Sequence, residues 1–371
     1  MKATIGCGVL VAALMWGAAT RAEDIKIAVV GPMTGSLAVI GEQQKRGADL
    51  AIQAINAAGG VAGNKLVLDV EDDVCDPKQA VSVANRIVGN QIKLVAGHAC
   101  SGSSIPASAV YADAGVLMMT PASSNPKLTD EAADKGWTTI MRLYGRDDTQ
   151  GKYIGPWIAK NYKDKKIVIL HDKSAYGKGL ADAVKANMNA AGVQEALYDG
   201  INPGEKDYTA EVSKLKALGA EFVYFGGYHA EAGLILRQSA DQGFKFQLMM
   251  GDSIATPDFW AISGPAGEGT MFTFPSDPRA RPSAKAVVDQ FKATGYDPEG
   301  FTLFSYAVVQ ALAEGYKRAG KLDGPAIAKA LRAGGPVETV LGPVEFDEKG
   351  DLKNNAYDIN IWHAGKYAKM Q

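Results

Sequence analysis

The sequence lacks an excess of charge of either sign, and it lacks the short motifs by which common enzymes are recognised. Its 39 Lys and Arg residues balance 41 Asp and Glu residues, which leaves a net charge of −2 at pH 7. Without a long block of like charge the chain has no electrostatic footprint for nucleic acid, and we exclude nucleic acid as a partner. No GxSxG, HExxH, GxxxxGK[ST] or CxxC motif occurs. We therefore expect no catalytic residues, no metal site and no cofactor, and we interpret the protein as a non-enzyme.

Cysteine is scarce, with three residues in the whole chain. Cys7 falls in an N-terminal segment where Lys2 precedes an apolar run, Ile5 to Ala19, that is too short to span a bilayer. Small residues and then a charged start follow this run, which is the pattern of a secretory signal peptide over residues 1–22, cleaved after Ala22. An uncleaved N-terminal anchor is the alternative. The signal predicts an exported protein.

Export leaves Cys75 and Cys100 as the two cysteines of the mature chain. An oxidising compartment favours a disulfide between them, worth about 3.5 kcal/mol in the chain-entropy model. The alternative is a thiol nucleophile at Cys100, for which His98 is the nearest candidate base.

From residue 24 onward, short apolar runs alternate with longer amphipathic segments, a pattern typical of βαβ units on a mainly parallel sheet. Strands are predicted at 25–30, 66–70, 93–96 and 116–119, and again at 167–170, 221–225 and 247–250. A long irregular segment is predicted at 121–136. The fold class is therefore α/β, with two lobes whose strand ends face each other across a cleft.

Two strands of the first half end in loops of small hydroxyl residues. Ala99, Cys100 and Ser101 follow one strand and lead into a helix, and Thr120 to Ser124 follow the next. Ligands of open α/β sheets bind at the carboxyl ends of strands, and the free N–H groups at a helix start attract anions. The loops thus predict a site for a small carboxylate. The alternative is two surface connections that use Ser and Gly for turn chemistry.

The strands of the second half end in tyrosines and one acid. Asp252 follows the strand at 247–250, and a carboxylate held near a cleft must be paired with a cation. Tyr176 and Tyr228, each beside glycine, suit a wall that packs on apolar ligand atoms and offers a hydroxyl. The alternatives are that Asp252 caps the next turn and that the tyrosines pack in the core.

Eight segments carry a resemblance to a known family, among them CDPKQAV at 75–81, GHACS at 97–101, FVYFGGYH at 222–229 and DEKGDLK at 347–353. They resemble the periplasmic leucine/isoleucine/valine-binding proteins that feed ABC importers. The resemblance extends over essentially the whole mature chain.

This resemblance implies a type I periplasmic binding fold, in which a three-segment hinge joins two Rossmann-like lobes. The N-terminal lobe would comprise residues 23–144 plus 275–354, and the C-terminal lobe 145–274 plus 355–371. The resemblance also implies a disulfide between the two mature cysteines and a location in the periplasm. As partners we expect a small-molecule amino acid and a membrane ABC permease complex, and we expect the protein to act as a monomer.

The resemblance further implies how a ligand amino acid is held. Its carboxylate would contact Ser101, Ser124 and the backbone of Ala122, and its ammonium would contact Asp252, Tyr228 and again Ala122. The pocket for its side chain would be formed by Ile40, Ala99, Cys100, Ser123, Tyr176 and Phe301.

Three of these positions depart from the branched-chain pattern. The family usually has an aromatic residue at the position of Ile40, often a leucine at that of Ala99, and a glutamate at that of Asp252. The smaller residues at Ile40 and Ala99 should enlarge the side-chain pocket. The resemblance therefore implies a neutral L-amino acid, branched-chain or other.

Two further functions are compatible with the same fold. One is a receptor for an amine-free carboxylate, such as an aromatic acid, in which Asp252 would face no cation, an unfavourable state for a buried anion. The other is a sensor domain that reports ligand occupancy to a signalling partner.

We expect the mature protein to begin at Glu23 and to contain one Cys75–Cys100 bond. The intact mass of the exported protein should then lie two hydrogens below the sum of its residues from Glu23 onward. Labelling of a free thiol at either cysteine in the native, unreduced protein would count against the bond.

Overall fold

The computed structural model describes residues 24–371, so the signal peptide predicted at 1–22 and its cleavage site lie outside the described residues. Strands and helices alternate along the chain, which confirms the predicted α/β class. Within residues 24–371, no helix is both long enough and apolar enough to cross a membrane.

Five parallel strands form the first sheet, in the order β2-β1-β3-β4-β5. Its strands and the helices between them are β1 (Ile25–Gly31), α1 (Ala38–Ala57), β2 (Leu66–Asp72), α2 (Pro77–Gly89), β3 (Leu94–Gly97), α3 (Ser101–Asp113), β4 (Leu117–Thr120), α4 (Lys127–Asp134) and β5 (Ile140–Arg142). Successive residues of β1 pack into different cores, Ile27 on one face and Ala28 on the other. Because helices cover both faces, the central strands are continuous apolar runs.

Seven strands form the second sheet, in the order β14-β13-β10-β9-β8-β6-β7, with β13 and β14 antiparallel to their neighbours. The remaining elements are α5 (Asp147–Tyr162), β6 (Ile167–His171), α6 (Ala175–Ala190), β7 (Leu197–Gly200), α7 (Thr209–Leu218), β8 (Phe222–Gly226), α8 (His229–Asp241), β9 (Gln247–Met250), α9 (Pro257–Ser263), β10 (Met271–Pro275), α10 (Lys285–Ala293), α11 (Thr302–Ala319), α12 (Gly324–Ala333), β11 (Val337–Thr339), β12 (Gly342–Val344), β13 (Tyr357–His363) and β14 (Lys366–Lys369). β11 and β12 form a separate hairpin.

The chain passes between the two sheets three times. It leaves the first sheet after β5, returns after β10 so that α11 packs on α1, β3 and β4, and enters the second sheet again at β13. These crossings support a division into lobes of residues 23–144 plus 275–354 and 145–274 plus 355–371, although the boundaries themselves stay a prediction.

Helix α2 begins where its capping signal predicts. The Asp76 carboxylate accepts hydrogen bonds from the amides of Lys78 and Gln79, at 2.9 and 2.8 Å, and Pro77 occupies the first helical position. A capping acid followed by proline satisfies or removes amide donors that have no partner within the helix.

The prediction of an irregular segment over 121–136 was wrong, because α4 lies within it. The Asn125 side chain accepts a hydrogen bond from the amide of Lys127 at 2.9 Å and turns the chain into the helix. Leu128 and Ala132 then face the interior. Two helical turns are too few for hydrophobic periodicity to stand out in the sequence.

A buried arginine ties the first crossing between the sheets to the third. The Arg142 side chain is fully buried. Its Nε donates to Asp351 Oδ1 at 2.8 Å, and its Nη1 donates to the carbonyl oxygens of Ser123 and Asn125 at 3.1 and 2.9 Å. Arg146 donates to the second oxygen of Asp351, also at 2.8 Å. The Arg142 guanidinium thus holds the loop after β4 and links the first crossing to the third.

Replacing Asp351 with Asn should lower the free energy of unfolding by about 3–5 kcal/mol, because it leaves the Arg142 charge buried without its anion. Urea denaturation measures this loss. Asp148→Asn is the matched control, since Asp148 also pairs with Arg146 but is 37% exposed, and it should cost at most about 1 kcal/mol. Equal losses in the two variants would contradict a special role for the buried pair.

Candidate functional site

The loops that follow β3 and β4 lie side by side and are joined by hydrogen bonds. The His98 carbonyl oxygen accepts from the hydroxyls of Thr120 and Ser123, at 2.7 and 3.1 Å. Thr120 Oγ1 in turn accepts from the Ser123 amide at 2.9 Å. The two loops therefore form one unit at the edge of the sheet where ligands of α/β proteins bind.

The Cys75–Cys100 disulfide holds this unit from the side, with Cα atoms 5.6 Å apart, and confirms the predicted pairing. Behind it, the buried His98 ring lies between Asp73 Oδ2, 2.6 Å from Nδ1, and the Tyr111 hydroxyl, 3.0 Å from Nε2. A cysteine in a disulfide has no thiol, and a ring with no exposed surface has no access to substrate. The thiol-nucleophile alternative is therefore wrong, and His98 supports the loop instead.

A small cavity lies between these loops and the strand ends of the second sheet. The space between its walls, part of which is open to solvent, is about 290 Å³. It is lined by Ile40, Ala99, Cys100, Ser101, Ala122, Tyr176, Tyr228, Asp252, Ser253 and Phe301. The structure thus brings most of the predicted site residues to one place, together with Ser253, which the sequence analysis missed although it directly follows Asp252.

Ser123 and Ser124 are the predicted site residues that do not line the cavity. The Ser123 hydroxyl donates to the carbonyl oxygen of Ala99 at 3.0 Å as well as to that of His98, so its hydrogen bonds join the loop after β4 to the loop after β3. The Ser124 hydroxyl is buried and forms no hydrogen bond of conventional geometry with residues 24–371. The ligand contacts predicted for these two serines stay a prediction.

Ser101 and Ala122 face the cavity in different ways. Ser101 Oγ accepts from the amide of Asn125 at 3.2 Å, which leaves its hydroxyl hydrogen for another acceptor. Ser101 is also the first residue of α3, where backbone N–H groups have no partner within the helix. The Ala122 amide donates to Thr120 Oγ1 at 3.2 Å. At this end, the cavity offers hydrogen-bond donors to an anion.

Asp252 is the only charged side chain among the described residues that line the cavity, and it lies just after β9. Tyr144 donates to its Oδ2 at 2.9 Å, and Tyr176 donates to its Oδ1 at 2.8 Å. Burial raises the pKa of the Asp252 carboxyl to about 6, and the hydroxyls of Tyr176 and Tyr144 oppose that rise. Asp252 is therefore mostly ionised at pH 7. Tyr144 was missed from the sequence although it carries the same signal as Tyr176 and Tyr228, because it follows β5 and stands beside Gly145.

A second buried acid, Asp147, lies near Asp252 without lining the cavity. Burial raises the pKa of Asp147 to about 8, the neighbouring Ser124 hydroxyl opposes the rise, and the charge of Asp252 adds to it. Neither carboxyl oxygen forms a hydrogen bond of conventional geometry with the described part of the chain. Asp147 is thus mainly protonated at neutral pH, and Asp252 carries the negative charge of the site.

Aromatic and aliphatic side chains form the middle of the cavity. The rings of Tyr176 and Tyr228 are 5.2 Å apart, and Phe301 packs 5.4 Å from Tyr144. Ile40 and Ala99 add apolar surface from the first sheet. A ligand in this cavity would meet donors at one end, apolar walls in the middle and a carboxylate at the other end.

Direct contacts join the two halves of the molecule around the cavity. The Asn125 side chain donates to the carbonyl oxygen of Ala175 at 2.6 Å, and that of Gln43 donates to Ala255 at 3.4 Å. Among residues 24–371, no group of three or more His, Cys, Asp or Glu side chains is arranged to hold a metal ion.

Comparisons with known proteins show which family and fold this chain resembles. The family model described as periplasmic binding protein matches residues 24–362. A Leu/Ile/Val-binding protein homolog from Brucella suis is 45% identical over 100% of this chain and 98% of its own. Leucine-binding protein LivK from Thermotoga maritima has a TM-score of 0.85 at 26% identity and covers 94% of this chain and 98% of its own. LivJ from Streptococcus pneumoniae, solved with isoleucine, has a TM-score of 0.82 at 25% identity, with coverages of 93% and 97%.

Proposed function

This chain belongs to the periplasmic binding protein family, and on that premise we propose that it captures one neutral L-amino acid, branched-chain or other, and delivers it to a membrane ABC importer. One observation carries the proposal: a buried, ionised carboxylate and a pair of donor-bearing loops share a single small cavity. An amino-acid zwitterion has the two opposite charges that such a cavity complements. The name of the Brucella suis relative, Leu/Ile/Val-binding protein homolog, and the isoleucine in the LivJ structure support the same ligand class.

The two ends of the cavity define the orientation of the ligand. We assign the ligand carboxylate to the Ser101 hydroxyl and the start of α3, and the ammonium to Asp252 with Tyr228 and the backbone of Ala122. Asp252 also argues against the amine-free alternative, because a buried anion that faces no cation is costly. Ile40 and Phe301 would contact the ligand side chain.

The family implies an extracytoplasmic location. We propose that the protein is exported to the periplasm and that residues 1–22 are removed on export. We propose binding without catalysis, since Cys100 is in a disulfide and His98 is buried. The permease is the proposed macromolecular partner.

Asp252→Ala should weaken the binding of L-leucine by on the order of 3–5 kcal/mol, or roughly two to four decades, because the ligand ammonium loses its buried partner. Wild-type protein should bind 4-methylpentanoate, which is leucine without its amine, comparably poorly. Isothermal titration calorimetry on protein freed of retained ligand measures both.

Asp258→Asn is the matched control, because Asp258 lies six residues away and is exposed; its leucine affinity should equal that of wild type. If wild-type protein binds 4-methylpentanoate or benzoate as tightly as any neutral amino acid, ammonium recognition by Asp252 is wrong and the amine-free alternative takes its place.

Because the carboxylate donors and Asp252 belong to different lobes, we expect ligand binding to close the lobes on each other. L-Leucine at saturation should lower the radius of gyration measured by small-angle X-ray scattering, and the scattering mass should be that of one chain.

Asn125→Ser keeps an oxygen for the Lys127 amide but is too short to reach Ala175, so it should weaken leucine binding by roughly threefold to tenfold.

Asn161→Ser is the control for the Asn125 variant, because among the described residues the exposed Asn161 side chain bonds only within its own helix, to Trp157. An unchanged radius of gyration at saturation would rule out closure as the delivery mechanism.

A further inference from the structure

We propose that Tyr144 is a positioning residue of the amino-acid site: its hydroxyl holds the Asp252 carboxylate in place as an anion and so makes the site selective for ligands that carry an ammonium group. This inference rests on the proposed function and deepens it. Tyr144 does not line the cavity, so it would act on the ligand only through Asp252.

The Tyr144 ring is held in one orientation by its neighbours. It is fully buried and packs against Phe304, Phe301 and Phe274, with ring centroids 4.9, 5.4 and 6.5 Å away. Edge-on and tilted aromatic pairs at these separations are favourable. The hydroxyl therefore stays at the end of a ring that has little freedom to move, 2.9 Å from Asp252 Oδ2.

The partners of Asp252 stabilise its charge without neutralising it. An ionised carboxylate has about four lone-pair sites, and the hydroxyls of Tyr144 and Tyr176 occupy one on each oxygen. The groups that hold its charge among the described residues are these two hydroxyls and its own backbone, none of which is a cation. A lysine or arginine in their place would compete with the ligand, whereas neutral donors leave one negative charge for an ammonium to pair with.

The other ionisable groups around Asp252 are compatible with this role. Tyr176, Tyr224, Tyr228 and Tyr357 have pKa values raised well above the usual range, chiefly by burial, and stay neutral. Asp147, with a pKa of about 8, is the neighbouring acid, and the Arg142 charge acts on it.

Tyr144→Phe is the test, because it removes the hydroxyl and keeps the ring. A hydrogen bond to a charged group is worth enough that L-leucine affinity at pH 7 should fall by about tenfold to a hundredfold. The affinity for 4-methylpentanoate, which has no ammonium, should change less than about twofold. Titration calorimetry measures the affinity of both variants for both ligands. A merely structural loss would weaken the binding of leucine and of 4-methylpentanoate equally and leave the ratio of their affinities unchanged.

The pH dependence of binding gives an independent readout. Leucine affinity requires ionised Asp252, so it should fall as the pH drops through the Asp252 pKa of about 6. Removing a donor that stabilises the anion raises that pKa. The inflection in leucine affinity should therefore move to higher pH in Tyr144→Phe.

Tyr306→Phe is the matched control, since Tyr306 is also buried and its hydroxyl forms no hydrogen bond with residues 24–371. Its leucine affinity and pH profile should match those of wild type. A carbon-13 NMR titration of the Asp252 carboxyl in ligand-free protein measures the pKa without any ligand, and it should be higher in Tyr144→Phe than in wild type.

The outcomes separate the two hypotheses. If wild type does not discriminate leucine from 4-methylpentanoate, the proposed function fails, and the carboxyl titration still decides whether Tyr144 stabilises the Asp252 anion. If wild type discriminates but Tyr144→Phe has the same leucine affinity and the same Asp252 pKa, the role of Tyr144 is overturned. Equal loss for both ligands in a variant with a lowered melting temperature would also overturn it, in favour of a structural role.

Discussion

The buried guanidinium of Arg142 is the constraint on which the arrangement of the site depends. It pairs with Asp351 from the third crossing and holds the carbonyl oxygens of Ser123 and Asn125 in the loop after β4. Burying an arginine is costly unless its donors are satisfied, and here the donors are satisfied by the segments that must be placed relative to one another. The loop that faces the cavity and the crossings that join the lobes are therefore parts of one hydrogen-bonded structure.

Two buried carboxyl groups near the cavity, those of Asp252 and Asp147, have different pKa values because their surroundings differ. Asp252 receives a hydrogen bond on each oxygen, whereas Asp147 receives none of conventional geometry from the described residues. Burial raises the pKa of both acids, but the tyrosine donors limit the rise at Asp252 to about 6, while that of Asp147 reaches about 8. Near neutral pH the region around the cavity thus carries about one negative charge, and in the proposed orientation that charge faces the ligand ammonium.

Much of this arrangement could be predicted from the sequence, because it lies at strand ends. Ser101, Tyr176 and Asp252 each follow an apolar run, and parallel strands bring their carboxyl ends to one edge of a sheet. Tyr144 also follows a strand, β5, and stands beside Gly145, but its bond to Asp252 could not be predicted, since that bond spans 108 residues. The direction of the Ser123 side chain was equally inaccessible, because it depends on hydrogen bonds between two loops.

Size and charge together restrict the ligand class. Ten described residues from both halves of the molecule line the cavity, which is a lining that suits a free amino acid better than a peptide. Its middle is apolar, with Ile40 and Phe301 on its walls. A cationic ligand side chain would lie there without a counter-ion, since in the proposed orientation Asp252 pairs with the ammonium, and an acidic side chain would lose its hydration and gain no cation. A neutral side chain meets neither cost, which is the physical reason for the neutral amino acid in the proposed function.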